Sequence, residues 1–350
     1  MTLRELAKLI VELNASDLHL SVGVPPIVRI DGKLQKLEGH DPCTPSSIEE
    51  TAMEFLSERH IEMLHEKGET DLSYSEVGVG RFRVNVFKQR GSYCVAMRVV
   101  SLKVPTIDEL GLPLAVKEFA DKKRGLVLVT GPTGSGKTTT LASIVDEINR
   151  TRSCHILTLE EPIEYLHRHK MSIVNQREIG SDSHSYQDAL RAALRQDPDV
   201  ILIGEMRDLE TIAIALTAAE TGHLVLSTLH TMDSMSTIER IIDVFPPSQQ
   251  NQIKVQLATV LQGVVSQQLV NRADGEGRVV ATEIMACNSA IRNHIREGKT
   301  HQIVSAIQTG AKQNMHTMDS SLARLYREGT ISYDDALSCA FDKEALTRYV

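Results

Sequence analysis

Residues 126–138 read LVLVTGPTGSGKT, and this stretch decides the fold of the chain. The unbroken apolar run from Leu126 to Val129 is typical of a strand buried on both faces of a parallel sheet. Behind it, Gly131 to Thr138 matches the phosphate-binding loop pattern G-x-x-x-x-G-K-[ST] at every fixed position. The residues that follow, to about Asn149, have helical periodicity. A strand, a glycine-rich loop and a helix in this order predict a nucleotide-binding α/β domain.

The loop carries the residue types that a bound polyphosphate requires. Its glycines let backbone N–H groups converge on a phosphate, and the helix N-terminus adds a favourable dipole. Lys137 is expected to reach the β- and γ-phosphates, and the Thr138 hydroxyl is expected to bind Mg²⁺. The predicted nucleotide-binding residues are Gly131, Pro132, Thr133, Gly134, Ser135, Gly136, Lys137, Thr138 and Thr139.

Acidic residues follow two further apolar runs. Hydrolysis requires a group that orients or deprotonates water beside the γ-phosphate. Glu205 follows the run at 200–204, and Glu160 ends a strand that begins at His155. Carboxylates at the carboxyl ends of parallel strands point into the crevice where α/β sheets bind ligands. We predict catalytic roles for Glu205 and Glu160. The alternative is that such acids only cap the turn that follows.

Two histidines, His223 and His230, stand on either side of the apolar run at 224–229. A histidine at the carboxyl end of a parallel strand could hydrogen-bond a γ-phosphate or hold Glu205, so both are predicted to be catalytic. The alternative is a structural histidine that is satisfied within the fold. Neither has the spacing of a metal ligand, so zinc is not indicated.

Three arginines form a further candidate group. Arg81 and Arg83 share one face of a predicted strand, and Arg98 lies on the neighbouring strand. Arginines beside a phosphate site would stabilise the transition-state charge. By themselves they also fit a solvated sheet face. Arg207, beside Glu205, fits either an ion pair or a subunit contact.

The chain before the loop predicts a separate small domain. Residues 1–100 are expected to form an α+β domain with an antiparallel sheet. It begins with a helix over 2–14 and has a hairpin turn at Asp31-Gly32. A single helix is expected from about 46 to 67. Alternating strands over 81–87 and 93–100 complete this domain.

The rest of the chain divides into a linker and a larger domain. Residues 101–123 contain two prolines and are expected to be a linker with a short helix. Residues 124–350 are expected to form a mostly parallel α/β core. After Ser248 the pattern is mainly helical, with one strand near 279–284.

Composition excludes several other classes of protein. The 350 residues are 41% hydrophobic and 24% charged, so a disordered or collagen-like chain is excluded. A net charge of -8 argues against a broad basic surface for nucleic acid. No apolar run approaches the ~20 residues of a membrane span, and the first residues do not resemble a secretory signal. The five scattered cysteines form neither a zinc pair nor a disulfide framework. A cytoplasmic two-domain protein is expected.

Four sequence boxes occur in order, and together they resemble the Walker A, Asp, Walker B and His boxes of the secretion ATPase superfamily. They are residues 131–138, residues 158–164, residues 204–208 and residues 221–231. The likeness covers nearly the whole chain and is strongest with the PilT/PilU branch of type IV pilus retraction motors. Larger assembly and secretion motors commonly carry a longer N-terminal region and a four-cysteine zinc insert, and this sequence has neither.

The resemblance implies a PAS-like N-terminal domain followed by a RecA-like P-loop ATPase domain with a mostly helical C-terminal extension. It implies a homo-hexamer that hydrolyses ATP with Mg²⁺, with the nucleotide between the two domains and the three arginines facing the phosphates. It further implies a place at the inner-membrane base of the pilus machine. The implied partners are a PilC-like platform protein of that membrane and a second retraction ATPase.

One segment resembles the AIRNLIRE signature of retraction motors, with His294 where that signature has Leu. Its periodicity places Ile291 and Ile295 on one helical face and leaves Arg292 and Arg296 on a basic one. The resemblance makes the segment an element that transmits motion. The transmission residues are Ala290, Ile291, Arg292, Asn293, Ile295, Arg296 and Glu297.

The Asp box contains a second departure, because Glu161 occupies the position at which the family carries Asp. If Glu161 places a water or Mg²⁺, its carboxylate is moved by ~1.5 Å through the methylene that Glu adds to Asp, and positional errors near 1 Å matter for catalysis. Either hydrolysis is slower than in relatives, or Glu160 carries the role alone.

Two alternative functions stay open from the sequence. An accessory retraction ATPase of the PilU kind shares the same boxes. A RecA-like nucleic-acid translocase shares the P-loop and the acid at the strand end, but the acidic net charge and the absence of Trp count against it.

Overall fold

The computed structural model describes residues 2–30, 32–100 and 103–349 and divides the chain into two compact units. The first contains Met1–Lys103 together with Pro162–Leu166. The second contains Val104–Glu161 and His167–Val350. The predicted α/β class, with a small α+β domain ahead of a P-loop domain and a helical C-terminal part, is confirmed.

The first unit is an antiparallel sheet covered by helices. Its elements are α1 (Leu3–Glu12), β1 (Asp17–Leu20), β2 (Ile27–Ile30), β3 (Lys33–Lys36), α2 (Pro45–Met53), α3 (Glu58–Lys67), β4 (Glu69–Glu76), β5 (Gly80–Gln89) and β6 (Ser92–Val100). The strand order is β3-β2-β1-β6-β5-β4. Apolar residues of α1, such as Leu6 and Ile10, pack with Leu18 and Phe82 in its core. The predicted hairpin is present, although Asp31 of its turn lies outside the described residues.

This unit differs from the sequence-based prediction in two places. The helix expected over 46–67 is two helices, because Ser57 caps the N-terminus of α3 with a capping box of its own. Strand β4 was not expected, because its sequence ETDLSYSE is mostly polar. Thr70 and Leu72 are nevertheless buried on its inner face, where β5 supplies the pairing that local sequence does not reveal.

The second unit is built on a seven-stranded sheet. Its elements up to the last strand are α4 (Leu114–Ala120), β7 (Gly125–Thr130), α5 (Lys137–Thr151), β8 (His155–Glu160), β9 (Ile173–Glu178), α6 (Tyr186–Ala193), β10 (Val200–Ile203), α7 (Leu209–Glu220), β11 (Leu224–Leu229), α8 (Ser234–Asp243), α9 (Pro247–Val260), β12 (Leu261–Asn271) and β13 (Arg278–Ala286). The strand order is β13-β12-β7-β11-β10-β8-β9. All neighbours are parallel except β12 and β13. β7, β8, β10 and β11 carry the predicted apolar runs, and they form the middle of the sheet.

Helices complete the second unit. They are α10 (Ser289–Glu297), α11 (Ile303–Gln308), α12 (Met318–Arg327), α13 (Tyr333–Cys339) and α14 (Lys343–Tyr349). Within the described residues, none of the helices combines the length and the apolar character that crossing a bilayer requires.

The structure differs from the sequence-based boundaries at the predicted linker. Ile107, Leu112, Val116 and Phe119 are buried in the core of the second unit, against strands such as β7. Residues 104–123 therefore belong to the larger unit, because α4 is amphipathic and buries its apolar face there.

The prediction of a single strand after Ser248 is also wrong, because β12 precedes β13 and pairs with β7. The preceding helix, α9, ends at Val260 and β12 begins at the next residue, so no glycine or proline marks the boundary. The strand also carries Ser266, Gln267 and Gln268, which interrupt its apolar pattern.

Candidate nucleotide site

Three neighbouring parallel strands bring the predicted site residues to one edge of the sheet. β11 lies between β7 and β10. The phosphate-binding loop follows β7, His230 follows β11 and Glu205 follows β10. Parallel strands end at the same edge, so three distant motifs of the sequence meet at the carboxyl ends, where such sheets bind ligands.

Backbone geometry of the loop depends on its glycines. Gly131 has φ of 140° and Gly136, which begins α5, has φ of 87°, and both values favour glycine. A Cβ atom on Gly131 would lie 2.2 Å from the backbone oxygen of Gln267. These two glycines are therefore required by conformation and by the close approach of β12.

The Lys137 side chain is folded into the loop. Its Nζ donates hydrogen bonds to the carbonyl oxygens of Gly131 and Pro132, each at 2.9 Å. Burial lowers the pKa of Lys137, and the nearby Glu205 carboxylate partly opposes that effect. The ammonium group is therefore buried at the loop, within electrostatic reach of Glu205.

The remaining loop residues form a cradle that fits a phosphate. Thr133 and Gly134 are exposed at the tip, while Thr138 and Thr139 are partly buried on the first turn of α5. The Ser135 hydroxyl oxygen is buried and has no hydrogen-bond partner among the described residues. An orphaned buried hydroxyl beside a glycine cradle fits a group that supplies acceptor oxygens, as a phosphate does.

The Glu205 carboxylate is held from two sides. Its Oε1 lies 3.0 Å from Nε2 of His230, and its Oε2 lies 2.8 Å from Nε of Arg207. The Arg207 guanidinium has a raised pKa, chiefly because of its hydrogen bond to Glu205. The sequence-based alternatives that His230 holds Glu205 and that Arg207 forms an ion pair with it both agree with this geometry.

The acids of the Asp box differ in environment. Glu160 is 8% exposed, and its Oε1 accepts hydrogen bonds from Thr158 Oγ1 at 2.6 Å and from Gln176 Nε2 at 3.1 Å. Glu161, in contrast, is exposed. The buried carboxylate at the end of β8 is thus the oriented one of the pair.

Tyr186 is a site residue that sequence reasoning missed. It begins α6, and its hydroxyl lies 2.9 Å from the position of a Cβ on Gly204. Burial raises its pKa, and the carboxylates of Glu160, Glu161 and Glu205 add to the effect. No motif contains Tyr186, so only the packing of α6 beside these acids reveals it.

The structure does not bring His223 to this cluster. His223 precedes β11 and so lies at the opposite edge of the sheet from His230, roughly 20 Å away for a six-residue strand. Its Nδ1 lies 2.9 Å from the carbonyl oxygen of Ala218, at the end of α7. Within this chain that geometry fits the structural alternative, and a catalytic role for His223 stays a prediction.

Arg81, Arg83 and Arg98 belong to the first unit, so their position at the phosphates stays a prediction. Arg83 lies directly opposite Arg98 in the pairing of β5 with β6. The Nε of Arg98 donates to Oδ1 of Asp17 at 2.7 Å. Burial raises the pKa of Asp17, but hydrogen bonds from Arg98 and Ser16 outweigh it and leave that pKa lowered.

The predicted transmission segment forms α10. Ile291 and Ile295 are fully buried, as expected, and Arg296 is exposed. Arg292, on the basic face, also contacts a neighbouring helix. Its Nη1 donates to the carbonyl oxygens of Ala258 at 2.5 Å and Thr259 at 2.8 Å, at the end of α9. This arginine caps a neighbouring helix, because cations stabilise helix C-termini.

The other members of the segment are polar or lie at the start of the helix. Asn293 donates to Oε1 of Glu297 at 3.0 Å, and Lys299 lies 2.7 Å from Oε2 of the same residue. Ala290 lies in the first turn, after the N-cap Asn288.

Mg²⁺ is implied by the loop chemistry, and the residues fit it through a hydroxyl ligand and nearby acids. The described residues contain no cluster of three or more His, Cys, Asp or Glu side chains that could hold a metal by themselves. In a loop of this type the Thr138 hydroxyl would be the protein ligand, and phosphate oxygens and water would supply the others.

Comparison with known proteins gives one consistent result. The family model described as "Type II/IV secretion system protein" matches residues 69–332. The type IV pilus retraction ATPase PilT of Pseudomonas aeruginosa is 47% identical over 96% of this chain and 97% of its own length. PilU, a type IV pilus ATPase of the same organism, is 39% identical over 97% and 89%. A crystal structure of the pilus retraction motor PilT with bound ADP matches with a TM-score of 0.92 and 50% identity, covering 99% of both chains. The chain therefore belongs to the type II/IV secretion system protein family, in the branch that contains PilT.

Proposed function

We propose that this chain is an ATP-hydrolysing motor that powers retraction of type IV pili, and hence twitching motility. The observation that carries the proposal is the Glu205 carboxylate, held by His230 and Arg207 at the same sheet edge as a complete phosphate-binding loop. The names of its relatives supply the physiological context, because PilT and PilU are both pilus ATPases.

The residues divide the chemistry among them. Backbone N–H groups of the loop bind the phosphates, and the Lys137 ammonium neutralises charge on the β- and γ-phosphates. Glu205 accepts a hydrogen bond from the attacking water and takes up its proton as the water oxygen bonds to the γ-phosphorus. The bond from that phosphorus to the bridging oxygen breaks, and ADP leaves. His230 holds that carboxylate at the required angle. Glu160, ordered by Thr158 and Gln176, positions the water.

Mg²⁺ is the proposed cofactor, with Thr138 as the protein ligand and Glu160 or Glu161 acting on it through water. When bound, it neutralises charge on the phosphate oxygens.

Partners follow from the same proposal. The motor acts as a homo-hexamer in which Arg81, Arg83 and Arg98 face the phosphates, and α10 transmits motion. It acts on a PilC-like platform protein at the inner-membrane base of the pilus, on the cytoplasmic side, together with a second retraction ATPase.

Biochemistry and genetics test this proposal. The purified chain is expected to release phosphate from ATP in the presence of Mg²⁺, and Lys137→Ala is expected to abolish release. A strain that lacks the gene is expected to be hyperpiliated and non-retracting. Unpiliated cells would instead indicate an assembly motor, and several-fold stimulation by single-stranded DNA would indicate a translocase.

An accessory retraction ATPase is the second candidate. The near full-length match to PilU supports it, at lower identity than the match to PilT. Retraction that persists without this gene but weakens under load would favour the accessory role.

A further inference from the structure

The side chain of Gln267 lies against the phosphate-binding loop, although Gln267 belongs to none of the sequence boxes. It is 1% exposed. Its Nε2 donates to the carbonyl oxygen of Ser135 at 2.6 Å, and its Oε1 accepts from Thr140 Oγ1 at 2.9 Å. The Nε2 and Oε1 atoms of one buried amide therefore hydrogen-bond to the loop and to the helix behind it, α5, respectively.

Strand β12 carries Gln267 to this position. β12 pairs with β7 as far as Ser266 opposite Thr130, and the hydroxyls of these two residues are 2.9 Å apart. Gln267 and Gly131 are the residues that directly follow this last pair, Ser266 and Thr130. Their backbones are so close that a Cβ on Gly131 would collide with the oxygen of Gln267. The position of the Gln267 amide donor is thus set by the strand pairing of the sheet and not by the loop.

The loop segment that Gln267 contacts needs such a restraint. Gly134 and Gly136 flank Ser135, both with positive φ, and glycine has many accessible backbone conformations. The Ser135 carbonyl and the Gly136 N–H belong to one planar trans peptide, so they point in opposite directions. Holding the carbonyl against β12 therefore turns the Gly136 N–H away from β12.

We propose that Gln267 is a positioning residue, which orients the Ser135–Gly136 peptide so that the Gly136 N–H donates to the nucleotide phosphates. This role rests on the proposed function as a nucleotide-hydrolysing motor. The donor half of the amide is the part that matters, because only Nε2 contacts the carbonyl of that peptide. The acceptor half ties the amide to Thr140 and is secondary.

Four variants of the full chain separate these halves. Gln267→Glu keeps the acceptor for Thr140 but cannot donate to Ser135, and Gln267→Met removes both without adding charge. Thr140→Val removes only the bond to Oε1. Gln268→Met is the matched control, because Gln268 is the next residue on the strand and its amide donates to Cys339 at 3.3 Å.

The measurements are ADP affinity by calorimetry, kcat and KM for ATP, and the melting temperature without nucleotide. Both Gln267 variants are expected to bind ADP at least tenfold more weakly and to raise KM for ATP by a similar factor. Thr140→Val is expected to stay within threefold and Gln268→Met within twofold of the unaltered chain. The melting temperature shows whether each variant folds. If the buried charge of Gln267→Glu unfolds the chain, the uncharged variant Gln267→Met carries the test.

Two results would overturn the role of Gln267. One is ADP binding within twofold of normal in both Gln267 variants. The other is an equal loss in Thr140→Val, which would indicate general packing and not carbonyl orientation. If the unaltered chain bound no ADP, the proposed function itself would fail, and the role of Gln267 with it.

Discussion

Nε2 of His230 lies 3.0 Å from Oε1 of Glu205, which joins the residues that follow two neighbouring strands, β11 and β10. The two residues are 25 positions apart in the chain, and parallel pairing alone brings them together. Because the contact fixes the angle of the carboxylate beside the loop, the two side chains are expected to act as a unit.

Substitutions at this pair should reduce turnover without reducing nucleotide binding. Glu205→Gln removes the base and is expected to lower kcat by about 100-fold or more. His230→Gln keeps the carboxylate but loosens it, and about a tenfold loss is expected. Phosphate release and ADP calorimetry measure the two effects. A Glu205→Gln enzyme with more than a tenth of normal kcat would contradict the assigned base.

The two acids of the Asp box should differ in importance. Glu160 is buried and hydrogen-bonded, whereas Glu161 is exposed. Glu160→Gln is therefore expected to lower kcat at least tenfold, while Glu161→Asp stays within about twofold. Steady-state ATP hydrolysis by both variants checks this. A several-fold faster Glu161→Asp enzyme would show that the longer side chain slows hydrolysis.

His294 is expected to destabilise its helix. Its Nδ1 is buried and has no hydrogen-bond partner among the described residues. Leaving such a group unsatisfied costs about 1–3 kcal/mol, so His294→Leu should stabilise the larger unit. A gain of about 1 kcal/mol corresponds to roughly 2–4 °C in a unit of this size. Thermal unfolding measures it, with His294→Asn, which keeps a polar group, as the control that should show no gain.

Two histidines whose rings are largely enclosed should make the free energy of unfolding fall in mild acid. Burial lowers the pKa of His167 and of His316 from 6.5 to about 4. As pH falls, these rings take up protons at a higher pH in the unfolded chain than in the folded chain. The stability that the neutral rings contribute is therefore complete above pH 6.5 and is lost as pH falls through about 4. Each ring contributes about 3 kcal/mol to that loss, at ~1.4 kcal/mol per pKa unit.

Urea unfolding between pH 7 and pH 4 tests this dependence. His316→Gln is expected to flatten the pH profile, and the same change at the exposed His301 is expected to leave it unaltered. Parallel profiles for the unaltered chain and His316→Gln would show that His316 binds its proton equally in the folded and unfolded chains, and would contradict the lowered pKa.

Local sequence was sufficient to predict the phosphate-binding loop and the central strands of the larger sheet. The apolar runs of β7, β8, β10 and β11 are contiguous and flanked by turns, and the loop pattern occupies eight consecutive positions. The periodicity of residues 289–297 likewise placed Ile291 and Ile295 in a core. Each of these features is encoded within a short stretch, so local reasoning finds it.

Other features depend on partners far along the chain. β4 and β12 carry polar residues, and these two segments become strands because they pair with β5 and β7. Arg292 contacts carbonyls more than thirty residues away. The acids that raise the pKa of Tyr186 stand at or just after the carboxyl ends of β8 and β10. His223 and His230 look equivalent in sequence, and only the direction of β11 separates them.

The sequence by itself determined that the chain binds a nucleotide phosphate, because the loop, the preceding strand and the following helix are consecutive. It also supplied the acids and the histidine of the site as separate candidates. The tertiary structure decided which of them meet and revealed Gln267 against the loop. The physical reason is that a hydrogen bond between residues 25 or 132 positions apart depends on strand order and register, which arise from the packing of the whole sheet.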